Sequence, residues 1–516
     1  MRRLQSLYEV LYFPICVLIA AFFSLGLGNL LTNQAFSSII DIRSDFVILI
    51  ANVLMRLGSF VIVNFPLIFL IRLVARKSGS ATTIISAFCG YIAFNVVTMY
   101  FARTNLVSTA YSSILGISMT TVGTTTARST THYPLQTGLL ATFVISAITL
   151  ASYNGSRIRN EYGFLSFISR DTWCVIRTVV LSMIAGVGAA YVWPYVIGVI
   201  QKLIDFSAAD TTNPVNLAIY GVTERILGVL NMATLVRSPF WYGANGGSWI
   251  SMAGAAVMGD VNIWTAQETA GSIAGMTGRF ITPYYVLNLF AVPGFVWSLY
   301  FLQTDRLERR RTRMFYVLLT LISLFAGVLL PIELLMLVLS PFLFLCHVLF
   351  TGILFGFLQS FHIYLGFFNT GTATLTALPG TLMELLTYIS HASLSRNLLG
   401  VLIVGIVSFA IYFLFARFYF KYLAADLFHT GVKNTIVKEF VRAVGGVENI
   451  KLTHSSAERL IVSLYDPSKL NVAKVRELGA SRITETKAGY AFSFGEKSTM
   501  IRIGLENFVK STVRDI

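Results

Sequence analysis

Charged side chains make up only 12% of the 516 residues, about half the share of an ordinary soluble chain. Set against 55% apolar content, so little charge cannot cover a soluble globule of this length. It also excludes disorder, which needs high charge and low hydrophobicity. Cysteine is scarce: Cys16, Cys89, Cys174 and Cys346 all lie in apolar runs, which argues for core thiols and against a disulfide framework or a zinc spacing. The histidines show no ligand spacing among them, so no metal is expected. No phosphate-cradling glycine loop, nucleophile elbow or nucleic-acid-binding motif is present, so no cofactor and no nucleic-acid partner is expected. Acidic residues number 24 against 39 basic ones, an excess that in a membrane chain marks loops kept on the cytoplasmic side.

What the chain has is apolar runs of roughly 20 residues, the length that crosses a bilayer. They fall at residues 12–32, 47–71, 82–100, 135–153, 174–200, 283–302, 315–339, 340–358 and 397–420. The first is long enough to be a retained span rather than a cleaved leader. Basic clusters around Arg72 to Lys77, Arg157 to Arg170 and Arg306 to Arg311 belong in the cytoplasm, and the Ser/Thr-rich connections at 101–133 and 201–216 belong outside. Counting crossings between these marks leaves two surplus segments. One of 217–236 and 283–302 enters and leaves by the same face, and the Gly/Thr/Pro-rich stretch 366–379 adds a partial crossing. The expected fold is a polytopic α-helical membrane protein of about ten spans with two re-entrant elements. Irregular backbone at membrane depth survives only where protein or a wet cavity satisfies its polar groups, so these elements are expected to wall a transport site.

From about Phe428 the composition turns evenly charged, as in a soluble domain. Helices are expected at 435–444, 472–478 and 499–509, and strands at 449–452, 459–464, 482–486 and 490–494. That order predicts a small α+β domain with an antiparallel sheet. The division is thus 1–427, membrane domain, and 428–516, cytoplasmic domain.

Three constellations could carry chemistry. Tyr220-Gly221-Val222-Thr223-Glu224-Arg225, followed by Ser238-Pro239-Phe240-Trp241-Tyr242, places adjacent opposite charges beside an intramembrane segment, where they are costly unless paired or wetted. A structural Glu/Arg pair at a helix end is the alternative. Leu330-Pro331-Ile332-Glu333 sets a carboxylate in the middle of an apolar run, so Glu333 faces the bundle interior. It serves either as a sugar-hydroxyl acceptor beside Trp241, Tyr242 or Phe240, or as the cap of a broken helix. Leu452-Thr453-His454-Ser455-Ser456-Ala457-Glu458-Arg459 reads as an exposed polar turn that could accept a phosphate near Arg459.

These residues resemble, in order along nearly the whole chain, the glucose/maltose type of sugar permease (enzyme II) of the phosphoenolpyruvate-dependent phosphotransferase system, with a membrane C domain (EIIC) and a cytoplasmic B domain (EIIB). Tyr12-Phe13-Pro14-Ile15 with Leu25-Gly26-Leu27-Gly28 is similar to the family opening. Tyr220 to Arg225 with Ser238 to Trp241 resembles its central signature, and Gly327-Val328-Leu329-Leu330-Pro331-Ile332-Glu333 its G-I-T-E-P-I-E. Val444-Gly445-Gly446-Val447-Glu448-Asn449-Ile450, residues 474–480 and Phe494-Gly495 match the B-domain frame. The resemblance implies a homodimer in the bacterial inner membrane, with the tail cytoplasmic, that imports a sugar by an elevator-like movement. Phosphate passes from a histidine on an A-type partner protein to a B-domain cysteine and on to the sugar.

The departures fall on the chemistry. In the family's D-A-C-I-T-R-L-R the cysteine position is Ser456 and the second arginine position is Ile461, and no cysteine follows Cys346. A thiol with a pKa of about 8.5 ionises near neutrality, whereas a serine hydroxyl needs a dedicated base and its phosphate ester is a trap rather than a relay. The family's G-L-H-H aligns with Asn231-Met232-Ala233-Thr234, and the T-E-P glutamate with Leu330. Glu333, Glu224, Arg225 and Trp241 are left as the substrate-binding set, with Ser456 a degenerate phosphoacceptor beside Arg459. The expectation is a permease for a sugar or related small polar solute, in contact with membrane lipid, whose B domain has lost phosphotransfer. Whether the chain is an enzyme stays open: the alternatives are a membrane sensor or regulator, or a phosphotransferase served by a B domain in trans.

Overall fold

The computed structural model describes residues 2–32, 44–101, 106–122, 129–157, 168–251, 254–271, 273, 277–302, 306–368, 379–420, 434–455, 459–486, 489–494, 498, 501, 502 and 505. The chain divides into two compact units, residues 1–300 with 305–414, and residues 301–304 with 415–516. The expected boundary at 427/428 lies outside the described residues, as do Ser456 and the core of the 366–379 stretch.

The first unit is helical: α1 (Arg2–Thr32), α2 (Asp45–Val63), α3 (Phe65–Ser78), α4 (Ala81–Phe101), α5 (Gly138–Arg157), α6 (Arg170–Ala209), α7 (Pro214–Val229), α8 (Thr234–Trp241), α9 (Asp260–Thr269), α10 (Thr282–Leu302), α11 (Arg306–Ala326), α12 (Leu330–Leu339), α13 (Pro341–Ser360), α14 (Leu382–Tyr388) and α15 (Ser395–Phe418). Two short antiparallel strand pairs, β1 (Met119–Val122) with β2 (Ser129–His132) and β3 (Ser248–Ile250) with β4 (Ala256–Met258), interrupt them. Among the described residues eight helices are long and apolar enough to cross a membrane, which makes this a polytopic helical membrane protein. One helix outgrows its expected 174–200: α6 runs for 40 residues, about 60 Å at 1.5 Å per residue.

Three of the expected apolar segments are broken. The expected span 315–339 is two helices, because Gly327 turns left-handed at φ 64° after α11 and Pro331, with no amide to donate, sits in the first turn of α12. The expected span 47–71 is also two. Pro66 opens α3, and Asn64 between them donates from Nδ2 to Phe60 O at 2.9 Å while its Oδ1 accepts from Leu115 N at 2.9 Å. The 217–236 segment breaks between α7 and α8, where Asn231 adopts φ 61°. Close helix approach is set by glycine: a Cβ on Gly58 of α2 would stand 2.5 Å from the Ala21 carbonyl oxygen of α1.

In the second unit α16 (Asn434–Ala443) and α17 (Val472–Glu477) accompany four strands, β5 (Ile450–Ser455), β6 (Leu460–Leu464), β7 (Arg482–Thr486) and β8 (Gly489–Ser493). The sheet is antiparallel throughout with order β5-β6-β8-β7. Strand alternation sends Leu460, Val462 and Phe492 into one core with Phe440 of α16, Val444 just past its end and Val475 of α17. The first strand runs three residues beyond its expected end, to Ser455, because His454 and Ser455 pair with Ile461 and Leu460. Of the expected closing helix only residues 501, 502 and 505 of its span are described, and Ile501 and Leu505 are buried in the same core.

Candidate functional site

The three breaks meet. Ile62 and Pro66 from the first, Gly228 and Asn231 from the second, and Val328 and Leu330 from the third line one cavity of about 130 Å³, close to the ~150 Å³ that admits a benzene ring. The second break is held by its neighbours: Asn231 Nδ2 donates to Ile62 O beside the first break at 3.4 Å, and Leu139 N at the start of α5 donates to Leu230 O at 3.0 Å. The second contact requires glycine at position 138, which has φ 53° and where a Cβ would stand 2.2 Å from Leu230 O.

One side of the cavity is a buried ionic network. Arg225 Nη1 donates to Glu333 Oε1 at 2.7 Å, its Nη2 donates to Tyr284 Oη at 2.9 Å, and its remaining edge pairs with Glu224. Tyr284 in turn donates to Glu224 Oε1 at 2.7 Å, and Arg237 reaches the same oxygen through Nε at 2.7 Å and Nη2 at 2.6 Å. The guanidinium of Arg225 lies 5.0 Å from the Tyr284 ring centre, a cation–π geometry. His347 extends the network, its Nε2 3.4 Å from Glu333 Oε1 and its Nδ1 2.6 Å from Tyr412 Oη. Two carboxylates and two guanidiniums balance, which is what burial at 0% exposure for Glu224 and 1% for Arg225 demands.

Two edges of this balanced network stay open. Both hydrogen bonds to Glu333 end on Oε1, so among the described residues Oε2 accepts none, and it lies beside Gly228, a wall of the cavity. Arg237 commits Nε and Nη2 to Glu224, leaving Nη1 without a partner among the described residues; its side chain is 16% exposed and lines the cavity. The site therefore offers one anionic acceptor, one cationic donor and the Tyr284 ring around a ring-sized space.

Of the residues singled out in the sequence, Arg225 and Glu333 line the cavity and touch each other. Glu224 stands behind them as the anion that both arginines share. Trp241 is buried away from the cavity lining, with Nε1 donating to Tyr220 Oη at 3.0 Å and the Arg237 guanidinium 5.2 Å from its ring. Phe240 packs on Tyr220 and Phe280, and Tyr242 is exposed. Arg459 is exposed at the start of β6, while Ser456 lies outside the described residues. Sequence reasoning passed over Arg237, Tyr284, His347 and Tyr412. The usable signal was polarity in an apolar run, which marks Arg237 and His347 by the same rule that marked Glu333. Among the described residues no group of three or more His, Cys, Asp or Glu side chains could hold a metal ion.

Fold and site thus define a helical membrane protein with a ring-sized polar cavity where broken helices meet. No protein-family model matches the chain. Among solved structures it is similar to the crystal structure of the transporter ChbC, the IIC component from the N,N'-diacetylchitobiose-specific phosphotransferase system. The two share 13% identity over 83% of this chain and 95% of that one, with a TM-score of 0.32, a superposition too loose to carry a functional argument.

Proposed function

We propose that the chain is a multi-pass permease related to the glucose/maltose-type phosphotransferase permeases, placed in the bacterial inner membrane with its tail in the cytoplasm. It binds a neutral, polyhydroxylated solute in the cavity and carries it across without phosphorylating it. The observation that carries this reading is Glu333: its charge is compensated by Arg225, yet one of its oxygens is open toward a ring-sized space. A sugar hydroxyl donates to that oxygen, a neighbouring hydroxyl accepts from Arg237, and the network around them is already neutral, so a neutral solute leaves no charge unbalanced. Ser456 at the phosphoacceptor position supports transport uncoupled from phosphotransfer.

Calorimetric binding of purified protein to a panel of neutral mono- and disaccharides, with sugar acids and amino sugars as contrast, tests the reading. A hydrogen bond to a charged acceptor contributes about 1.5–3 kcal/mol, so Glu333→Gln weakens binding of the best neutral sugar by roughly 10- to 100-fold. Uptake of the same labelled sugar into proteoliposomes returns it unmodified. No sugar binding at all, or equal binding by Glu333→Gln, refutes the proposal.

A further inference from the structure

A further buried carboxyl is built differently from Glu224 and Glu333. Glu384, on the first turn of α14, is 7% exposed. Its backbone N–H donates to the N-cap Thr381 Oγ1 at 3.3 Å, while its carboxyl turns to Phe368 N–H, which donates to Oε1 at 3.2 Å. Oε2 is buried with no hydrogen-bond partner among the described residues, and no basic side chain among them forms an ion pair with Glu384. Residues 369–378, between Phe368 and Pro379, contain no Lys, Arg or His, so that connection cannot supply the missing charge. The groups that face Glu384 besides Phe368 N–H are Tyr285 of α10, the Gly380 backbone N–H, Glu268 of α9 and Tyr388 of its own helix, and His391 faces Glu268 instead. The charged group that acts on Glu384 is thus a second carboxylate, and no cation among the described residues pairs with it.

An unpaired carboxylate buried in such surroundings does not stay ionised, because desolvation and the neighbouring acid both oppose the charge. We infer that Glu384 is a proton-binding site of the membrane unit, protonated in the buried arrangement and released to solution only when its tether to Phe368 opens and water reaches it. The conformation of this unit is then linked to pH whatever solute it carries, so the inference stands or falls apart from the proposed function.

Infrared difference spectroscopy of the full-length protein in lipid nanodiscs, titrated from roughly pH 5 to 10, reads the proton directly. The wild type shows a protonated-carboxyl C=O band that persists at neutral pH; Glu384→Gln removes it and Glu384→Asp shifts it. Because Gln mimics a neutral carboxyl, Glu384→Gln also keeps the wild-type melting temperature at neutral pH, whereas Glu333→Gln lowers it. Absence of the band from the wild type at neutral pH, or its survival unchanged in Glu384→Gln, overturns the inference. Where Glu384→Gln does not assemble, the wild-type band and an unshifted band in Glu384→Asp decide the matter in the same way.

Discussion

Charge balance inside the network makes a quantitative prediction. Glu333→Gln keeps the volume and an oxygen for Arg225 but leaves the buried quartet with a net positive charge. Removing one partner of a buried pair costs about 3–5 kcal/mol. Because Glu224 still faces Arg225, the lower end, about 3 kcal/mol, applies. Arg237→Gln leaves the opposite imbalance, and with that side chain 16% exposed the cost falls to about 2 kcal/mol through partial solvation. The double variant restores neutrality. Its loss should be about 3 kcal/mol rather than the additive value, a coupling of about 2 kcal/mol between side chains that share Glu224 and Arg225 as intermediaries. Unfolding of the four purified proteins in mixed micelles of increasing denaturing-detergent fraction, followed by fluorescence, supplies the cycle. Additivity within about 0.5 kcal/mol would mean that the two ends of the network do not sense each other's charge, and the reasoning fails.

Other expectations follow from single contacts. Gly138→Ala combines a left-handed backbone with a Cβ 2.2 Å from Leu230 O; it should cost at least about 2 kcal/mol and weaken sugar binding, read in the same unfolding and calorimetric assays. Phe440 is fully buried with ring centres 5.3 Å from Phe492 and 5.7 Å from Phe494. Phe440→Ala should destabilise the tail unit by about 3–5 kcal/mol, seen as accelerated amide exchange in the β6 and β8 strands of the full chain. Purified protein supplied with phosphoenolpyruvate, the general phosphotransfer enzymes and glucose should yield no sugar phosphate by mass spectrometry; a phosphorylated product without an added cysteine-bearing B domain would contradict the role assigned to Ser456.

Much of the helical pattern was legible because a bilayer demands long apolar runs and the chain supplies them at countable intervals. The breaks were harder to see. Gly327 with Pro331 carries a visible signal, but Asn64-Phe65-Pro66 sits in an apolar run whose length alone reads as one span, and Asn231 gives no warning of a left-handed turn. In the site, Glu333 and the Glu224/Arg225 pair stood out because charge in an apolar run is expensive. Arg237 and His347 obey the same logic, yet their meaning depends on which carboxylate each reaches, and Arg225 and Glu333 are 108 positions apart. Trp241, attractive as a sugar platform, turned out to be committed to Tyr220 and Arg237.

By itself the sequence determined the membrane class, the change of composition near the tail and the lack of any cysteine after Cys346, because each follows from residue chemistry summed over short windows. Only the tertiary structure decided that three helix breaks converge on one cavity and that the buried charges there cancel pairwise. It also decided that Glu384, an acid outside that network, forms no ion pair among the described residues. Compensation of charge in a low-dielectric interior is a property of distances a few ångströms long, and nothing in the linear order of residues states them.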